Sequence, residues 1–182
     1  MTETELKRII DLKTYERVKK AFEWESSFEQ ENNYYTDHDG VLNKNHIMVR
    51  VRVVNGVSRL QVKLDKANRS PLQICEEYEY DIDGIPETLD AETAYKLTNM
   101  HVGELYRLGS SVTTRYLLHR GKTELCLDKT TYFGKTDYEV EAEYVDAISS
   151  EIVDRLTALG VKFNQKSIPK YSRFLKEFKK QL

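Results

Sequence analysis

Charged side chains recur at every second position in several stretches of this chain, and the types that recur together limit the chemistry available to them. Glu3, Glu5 and Lys7 alternate near the start, Arg50 and Arg52 alternate further on, and Glu139, Glu141 and Glu143 alternate near the end. Lys63 and Arg115 add cations on stretches of their own. Lys7, Arg50, Arg52, Lys63 and Arg115 together would neutralise several phosphate oxygens, the arginines offering two parallel N–H bonds each. Carboxylates repel phosphate, so Glu3, Glu5, Glu139, Glu141 and Glu143 belong beside it only as ligands of a hard divalent cation such as Mg²⁺ or Mn²⁺. The ligand these types describe is a polyphosphate carrying metal. Metal and arginine would stabilise charge on a transferring phosphoryl group while one carboxylate orients or deprotonates water, and hydrolysis is the simplest outcome.

Positioning such groups requires strands, because alternate residues of a strand share a face. Strand-like runs cover residues 2–10, 32–37, 46–54, 58–65, 73–82, 104–108, 111–119, 122–130 and 136–145. Asn55-Gly56, Arg120-Gly121 and Phe133-Gly134-Lys135 sit between runs as hairpin turns do, which makes the sheet mostly antiparallel. Sorted by parity, Val49, Val51 and Val53 oppose the arginines, Leu60, Val62 and Leu64 oppose Gln61, Lys63 and Asp65, and Val140, Ala142 and Tyr144 oppose the late glutamates. Leu125 and Leu127 oppose Glu124, Cys126 and Asp128 in the same way.

One such strand is an ordinary half-exposed one, with its charges in bulk water. Six of them, with helical periodicity at 14–25, 88–100 and 147–159 to cover the apolar faces and a last helix at 170–181 after Pro169, form a different pattern. A sheet of this many twisted strands closes on itself, so the expected architecture is α+β, a closed antiparallel barrel with helices packed on the outside. The charges then line a wet tunnel and must compensate one another or a ligand. Thr14 is the expected cap of the first helix, and Thr88 or Asp90 that of the second.

Composition narrows the remaining classes. The 182 residues carry 28 Lys+Arg against 30 Asp+Glu, a net charge of −2, without the basic excess of a general duplex nucleic-acid or anionic-membrane binder. Mean hydropathy is −0.62 and no apolar run is long enough to span a bilayer as a helix. Glu3, Glu5, Lys7 and Arg8 among the first ten residues do not suit a secretory leader, so a cytoplasmic location is expected. The two cysteines, Cys75 and Cys126, suggest neither a disulfide framework nor a zinc site. The four histidines lack metal-ligand spacing and read as surface or structural residues. No linker or repeat divides the chain, so residues 1–182 read as one domain.

With these residues in place, the chain resembles the CYTH superfamily, the triphosphate tunnel metalloenzymes. Glu3-x-Glu5-x-Lys7 is similar to the family's ExExK signature, and Arg50-x-Arg52, Lys63, Glu77-x-Glu79, Arg115, Leu127-Asp128 and Glu139-x-Glu141-x-Glu143 follow in family order. Lys170-x-x-Arg173 resembles the C-terminal basic motif that closes over the phosphates. The resemblance implies an eight-stranded tunnel barrel and hydrolysis of a triphosphate, foremost inorganic triphosphate, with Mg²⁺ or Mn²⁺ as cofactor. It places Lys7, Lys63, Arg115, Glu77 and Glu79 in catalysis. It places Lys7, Arg50, Arg52, Lys63, Arg115, Lys170 and Arg173 on the substrate, and Glu3, Glu5, Asp128, Glu139, Glu141 and Glu143 on metal. The expected partner is a triphosphate or nucleoside triphosphate, with the protein a monomer or homodimer and no membrane involved. The same superfamily contains class IV adenylyl cyclases, thiamine triphosphatases and fungal-type RNA triphosphatases, and a non-catalytic polyphosphate or nucleotide binder is a further alternative. Thr113 departs from the Lys-x-Arg that members often carry before the position of Arg115, removing one cation.

Overall fold

The computed structural model describes residues 2–65 and 72–182, with side chains from residue 4 onward. Its strands are β1 (Thr2–Ile10), β2 (Ser26–Asp37), β3 (Ile47–Val54), β4 (Val57–Asp65), β5 (Leu72–Asp81), β6 (Thr88–Leu89), β7 (Leu105–Arg120), β8 (Thr123–Tyr132) and β9 (Lys135–Tyr144). Its helices are α1 (Leu12–Ala21), α2 (Val41–Lys44), α3 (Ala91–Thr98), α4 (Ser150–Ala158) and α5 (Lys170–Phe178). Eight strands run in the order β2-β3-β4-β5-β1-β9-β8-β7, and β7 pairs back onto β2, closing an antiparallel barrel; the two-residue β6 is added on the outside of β7. None of the helices is long and apolar enough to cross a membrane among the described residues.

The parity read from sequence is the parity of the barrel wall. Val49, Val51, Leu60, Val62, Leu125, Leu127, Val140 and Ala142 are buried on the outer face, beneath helices. Tyr15 and Val18 of α1 with Ile152 and Leu156 of α4 cover β7, β8 and β9, while Leu42 of α2 with Ala94 and Leu97 of α3 cover β3 and β4. Among the described residues no such cluster covers the end of β5, where Tyr78 and Tyr80 are exposed. Helix α5 differs from the outer helices: Phe174 packs on Tyr34 and Tyr132 from the barrel strands, so α5 closes one end of the tunnel.

Four local expectations change. Helix α1 begins earlier than its periodicity suggests, because Asp11 and not Thr14 is its cap, the Asp11 carboxylate accepting from the Thr14 N–H at 2.7 Å. Strand β2 starts at Ser26, six residues before the expected run 32–37, since Phe28 and Gln30 line the tunnel and its first residues carry no hydrophobic alternation. The runs at 104–108 and 111–119 are one strand, β7, bent where Tyr34 pairs with Gly109 and Tyr35 with Arg107. Leu108 is the extra residue of that bulge, and Gly109 supplies the required φ of +139°. The single turn α2 has no long apolar periodicity to announce it; Asp37 holds it by accepting from the N–H groups of Val41 and Leu42. The Asn55-Gly56 turn is as expected, both residues having positive φ.

Candidate active site

Two strand pairings bring the charged faces together. Antiparallel β1 and β9 set Glu5 opposite Glu143 and Lys7 opposite Glu141, while β3, β4 and β5 set Arg50 opposite Gln61 and Lys63 opposite Glu77. Their side chains converge on a cavity of about 180 Å³ at the end of the tunnel closed by α5. Among the described residues Lys7, Arg50, Arg52, Lys63, Arg115 and Lys170 line it with Glu5, Asp65, Glu77, Glu141 and Glu143, six cations against five carboxylates. The lining is therefore close to neutral, and a polyanion fits only if it brings cations of its own or displaces carboxylates from the cations present.

The ion pairs fall into a tight group and a loose one. Arg115 grips both oxygens of Asp128, Nε to Oδ1 at 2.8 Å and Nη2 to Oδ2 at 2.7 Å, and also reaches Glu141 at 2.6 Å. Lys170 donates to Asp128 and to Glu141 at 2.8 Å, and stands 3.3 Å from Glu139. Arg173 donates to Glu139 at 3.0 Å and to the Ile168 carbonyl, and pairs with Asp137. Around Lys7, Glu5 stands at 2.7 Å and Glu141 at 3.6 Å, while Lys63 is 3.9 Å from Glu5 and 3.6 Å from Glu77, and Arg50 is 3.8 Å from Glu77.

These neighbours set the protonation states. Burial by itself would raise the pKa of Glu141, but Lys170, Lys7 and Arg115 outweigh it and hold the carboxyl well below its ordinary range. Glu5 is likewise held low against burial by Lys7 and Lys63, and Asp128 by Arg115 and Lys170. The Lys7 and Lys170 ammoniums are held above their ordinary range by the same carboxylates, which makes them fixed cations and poor proton acceptors. Arg52 is the exception. Burial, then the nearby Arg50 and Arg115 guanidiniums, push its pKa down to about 9, and its side-chain bond is to a neutral group, Nε donating to Asn32 Oδ1 at 2.8 Å.

Of the residues singled out by sequence, Glu5, Lys7, Arg50, Arg52, Lys63, Glu77, Arg115, Glu141, Glu143 and Lys170 surround the one cavity. Asp128 and Glu139, 0% and 1% exposed, lie behind it against Arg115, Lys170 and Arg173, and Arg173 itself is buried there. Glu79 opens on the opposite mouth of the barrel, paired with Arg59 at 3.5 Å and accepting from Gln61 at 2.7 Å. The Glu3 side chain lies outside the described residues. Thr113 is fully buried, its hydroxyl 2.8 Å from that of Thr130, so a neutral pair stands where members of the resembling family often carry a cation. Sequence reasoning passed over Asn32, which orients Arg52, and His46, which lines the cavity mouth near Asn43 and Met48. Asn32 had a usable signal: it is a polar residue two positions from Tyr34 on one strand face.

Among the described residues no three His, Cys, Asp or Glu side chains are grouped closely enough to cage a metal ion. Carboxylate oxygens are nevertheless present as hard donors, and Glu5 and Glu141 meet on either side of Lys7 with Glu143 facing Glu5 across the strands. That set fits Mg²⁺ or Mn²⁺ in the manner usual for phosphate chemistry, with one or two carboxylates and the substrate's own oxygens sharing the ion.

A closed tunnel of eight antiparallel strands with an interior of paired charges is the architecture of the CYTH domain family, and the family model for the CYTH domain matches residues 1–172. The chain belongs to that family. Among curated proteins it is 27% identical to YjbK of Bacillus subtilis, provisionally assigned as a triphosphatase, over 150 residues that span 79% of this chain and 78% of the relative. The solved structure of HpAC1 from Hippeastrum, provisionally named an adenylyl cyclase and found to have a dominant triphosphatase activity, superposes with a TM-score of 0.73 at 20% identity, covering 96% of this chain and 95% of that one. A provisional adenylate cyclase of Bacillus halodurans superposes with a TM-score of 0.70 at 20% identity, covering 94% and 96%.

Proposed function

We propose that the protein is a divalent-metal-dependent triphosphatase whose tunnel takes a triphosphate chain, foremost inorganic triphosphate. The observation that carries this reading is the convergence of six cations on one cavity, among them a half-buried Arg52 whose side chain, among the described residues, hydrogen-bonds only to an amide oxygen. A cation left that way in a barrel wall is destabilising by itself and is relieved by an anion. The triphosphatase named for HpAC1 and provisionally assigned to YjbK supports the reaction class.

In this reading Arg50, Arg52, Lys63 and Arg115 hold the phosphates, and Lys7 and Lys170, kept protonated by their carboxylates, neutralise charge developing on the terminal phosphoryl group. Glu5, Glu141 and Glu143 would share a divalent ion with the substrate; when bound it would withdraw charge from the phosphoryl oxygens. Glu77, held between Arg50 and Lys63, orients the attacking water and takes its proton as the terminal P–O bond breaks, leaving diphosphate and orthophosphate. Asp128, Glu139 and Arg173 act through Arg115 and Lys170 as positioning residues.

The test is phosphate release from inorganic triphosphate, ATP and thiamine triphosphate in parallel, with Mg²⁺, with Mn²⁺ and with EDTA. Metal-dependent release favouring inorganic triphosphate is the expected result. Formation of cyclic AMP from ATP without phosphate release from triphosphate would move the protein to the cyclase class.

A further inference from the structure

Among the described residues three arginines line the triphosphate cavity, and each is tethered in the same way: its Nε donates at 2.8 Å to the residue directly opposite on a neighbouring strand. Arg115 bonds Asp128 across β7 and β8, Arg52 bonds Asn32 across β3 and β2, and Arg50 bonds Gln61 across β3 and β4. The anchors differ in charge. Asp128 is a carboxylate and takes a terminal nitrogen of Arg115 as well, whereas Asn32 and Gln61 are amides, 2% and 5% exposed, and each takes Nε alone. A guanidinium only donates, so the amide oxygen must be the end that faces it. In Gln61 the other end is fixed too, its Nε2 donating to Glu79 at 2.7 Å.

Arg50 and Arg52 lie two residues apart on one face of β3 and their charges oppose each other, so untethered guanidiniums would swing apart along the tunnel. Anchors on opposite sides of β3 hold both against that. A carboxylate would hold them as firmly, but it would also neutralise the charge, and an incoming phosphate would have to displace it. The amides leave the terminal nitrogens of both arginines without a hydrogen bond among the described residues, and the one ion pair these make there is the long contact of Arg50 with Glu77 at 3.8 Å.

We propose that Asn32 and Gln61 are positioning residues for the phosphate chain, neutral anchors that aim Arg52 and Arg50 into the tunnel and leave both charges to the ligand. The inference rests on the triphosphatase reading and deepens it, since affinity for triphosphate then depends on two side chains that act through the arginines.

Asn32→Asp keeps the shape of the anchor and its bond to Arg52 while adding the charge that the amide lacks. Steady-state phosphate release from inorganic triphosphate with Mg²⁺ gives KM and kcat, and scanning fluorimetry without ligand gives the melting temperature. The expected result is KM raised about tenfold or more, kcat changed by less than about threefold, and a melting temperature equal to or above that of wild type, because Arg52 gains a counter-charge. An anchor with a merely structural role would move stability and affinity in the same direction. Gln61→Met removes the second anchor at similar volume and raises KM by about fivefold or more with the circular dichroism of wild type; it decides the matter if Asn32→Asp does not fold. An unchanged KM in either folded variant, a loss confined to kcat, a melting temperature of Asn32→Asp that falls as KM rises, or loss of the fold in both variants each overturns the inference. Failure of the underlying reading shows in the wild type instead, which then neither binds nor hydrolyses inorganic triphosphate.

Discussion

Replacing Arg52 by methionine should make the empty protein more stable and the loaded protein less so. Its pKa is pushed down to about 9 in the fold from its ordinary, higher value in the unfolded chain, chiefly through burial and then through Arg50 and Arg115. Between those values the unfolded state binds more protons, so stability rises with pH there, and at neutral pH the full penalty for the cation is present. Replacing an imperfectly compensated cation by an apolar side chain of similar volume is worth about 1 to 4 kcal/mol, and because this side chain opens onto the tunnel ~2 kcal/mol is expected. Methionine keeps the volume and removes the charge. For a domain of this size ~2 kcal/mol raises the melting temperature by about 4 to 8 °C. Charge-assisted bonds to phosphate are worth about 1.5 to 3 kcal/mol, so triphosphate should bind about 10- to 150-fold more weakly. Scanning fluorimetry with and without inorganic triphosphate reads both effects, since ligand stabilisation follows the ratio of concentration to Kd. A variant that melts below wild type without ligand, yet binds triphosphate as wild type does, would refute the reasoning.

Asp128→Asn should cost about 3 to 5 kcal/mol, because a fully buried carboxylate gripped by Arg115 and Lys170 leaves two cations underpaired when neutralised; thermal unfolding should shift down by about 10 °C or more. Glu5, whose pKa is lowered in the fold, contributes stability that is present above its ordinary pKa of about 4.3 and lost as pH falls through its lower folded value. Urea midpoints measured from pH 6 down to pH 3 should therefore fall less steeply for Glu5→Gln than for wild type, and identical slopes would remove Glu5 from the stabilising network. Glu77→Gln should lower kcat/KM for inorganic triphosphate by about a hundredfold while Glu79→Gln, at the opposite mouth, changes it by only a few fold; steady-state phosphate release from the two variants separates them.

The barrel was legible because its signal is carried by parity, and parity survives any error in strand ends. Each outward valine or leucine pair on β3, β4, β8 and β9 fixes which way the intervening charge points, and closure follows from strand number. What parity does not report is depth along the tunnel. Glu77 and Glu79 share a face, yet two residues along a tilted strand carry the second from the triphosphate cavity to the far mouth. Glu139, Glu141 and Glu143 are equivalent by alternation in the same way, and only the docking of α5, which brings Arg173 onto Glu139 and Lys170 onto Glu141, separates them. That docking is set by aromatic packing of Phe174 on Tyr34, between residues 140 positions apart, and no local pattern encodes it. Strand β2 was half missed for a related reason: its first residues face a polar interior, so hydrophobic alternation, the signal for a strand, is absent where the tunnel is best formed.

Depth also explains how one interior can be both rigid and open to a polyanion. Asp128 and Glu139 are sealed behind bonds of 2.7 to 3.0 Å to Arg115 and Arg173, and breaking these would strand buried charge. Several pairs that line the cavity are longer: Lys7 to Glu141, Lys63 to Glu5 and to Glu77, and Arg50 to Glu77 all lie between 3.6 and 3.9 Å, although Glu5 also holds Lys7 at 2.7 Å and Glu141 holds Arg115 and Lys170 at 2.6 and 2.8 Å. The longer contacts give up little when a phosphate oxygen replaces the carboxylate, and the displaced carboxylates are then the ones best placed to take a divalent ion. The sealed layer keeps Arg115 and Lys170 aimed while the loose layer exchanges partners, so a ligand that brings its own cations restores the charge balance of the tunnel without reorganising the wall that built it.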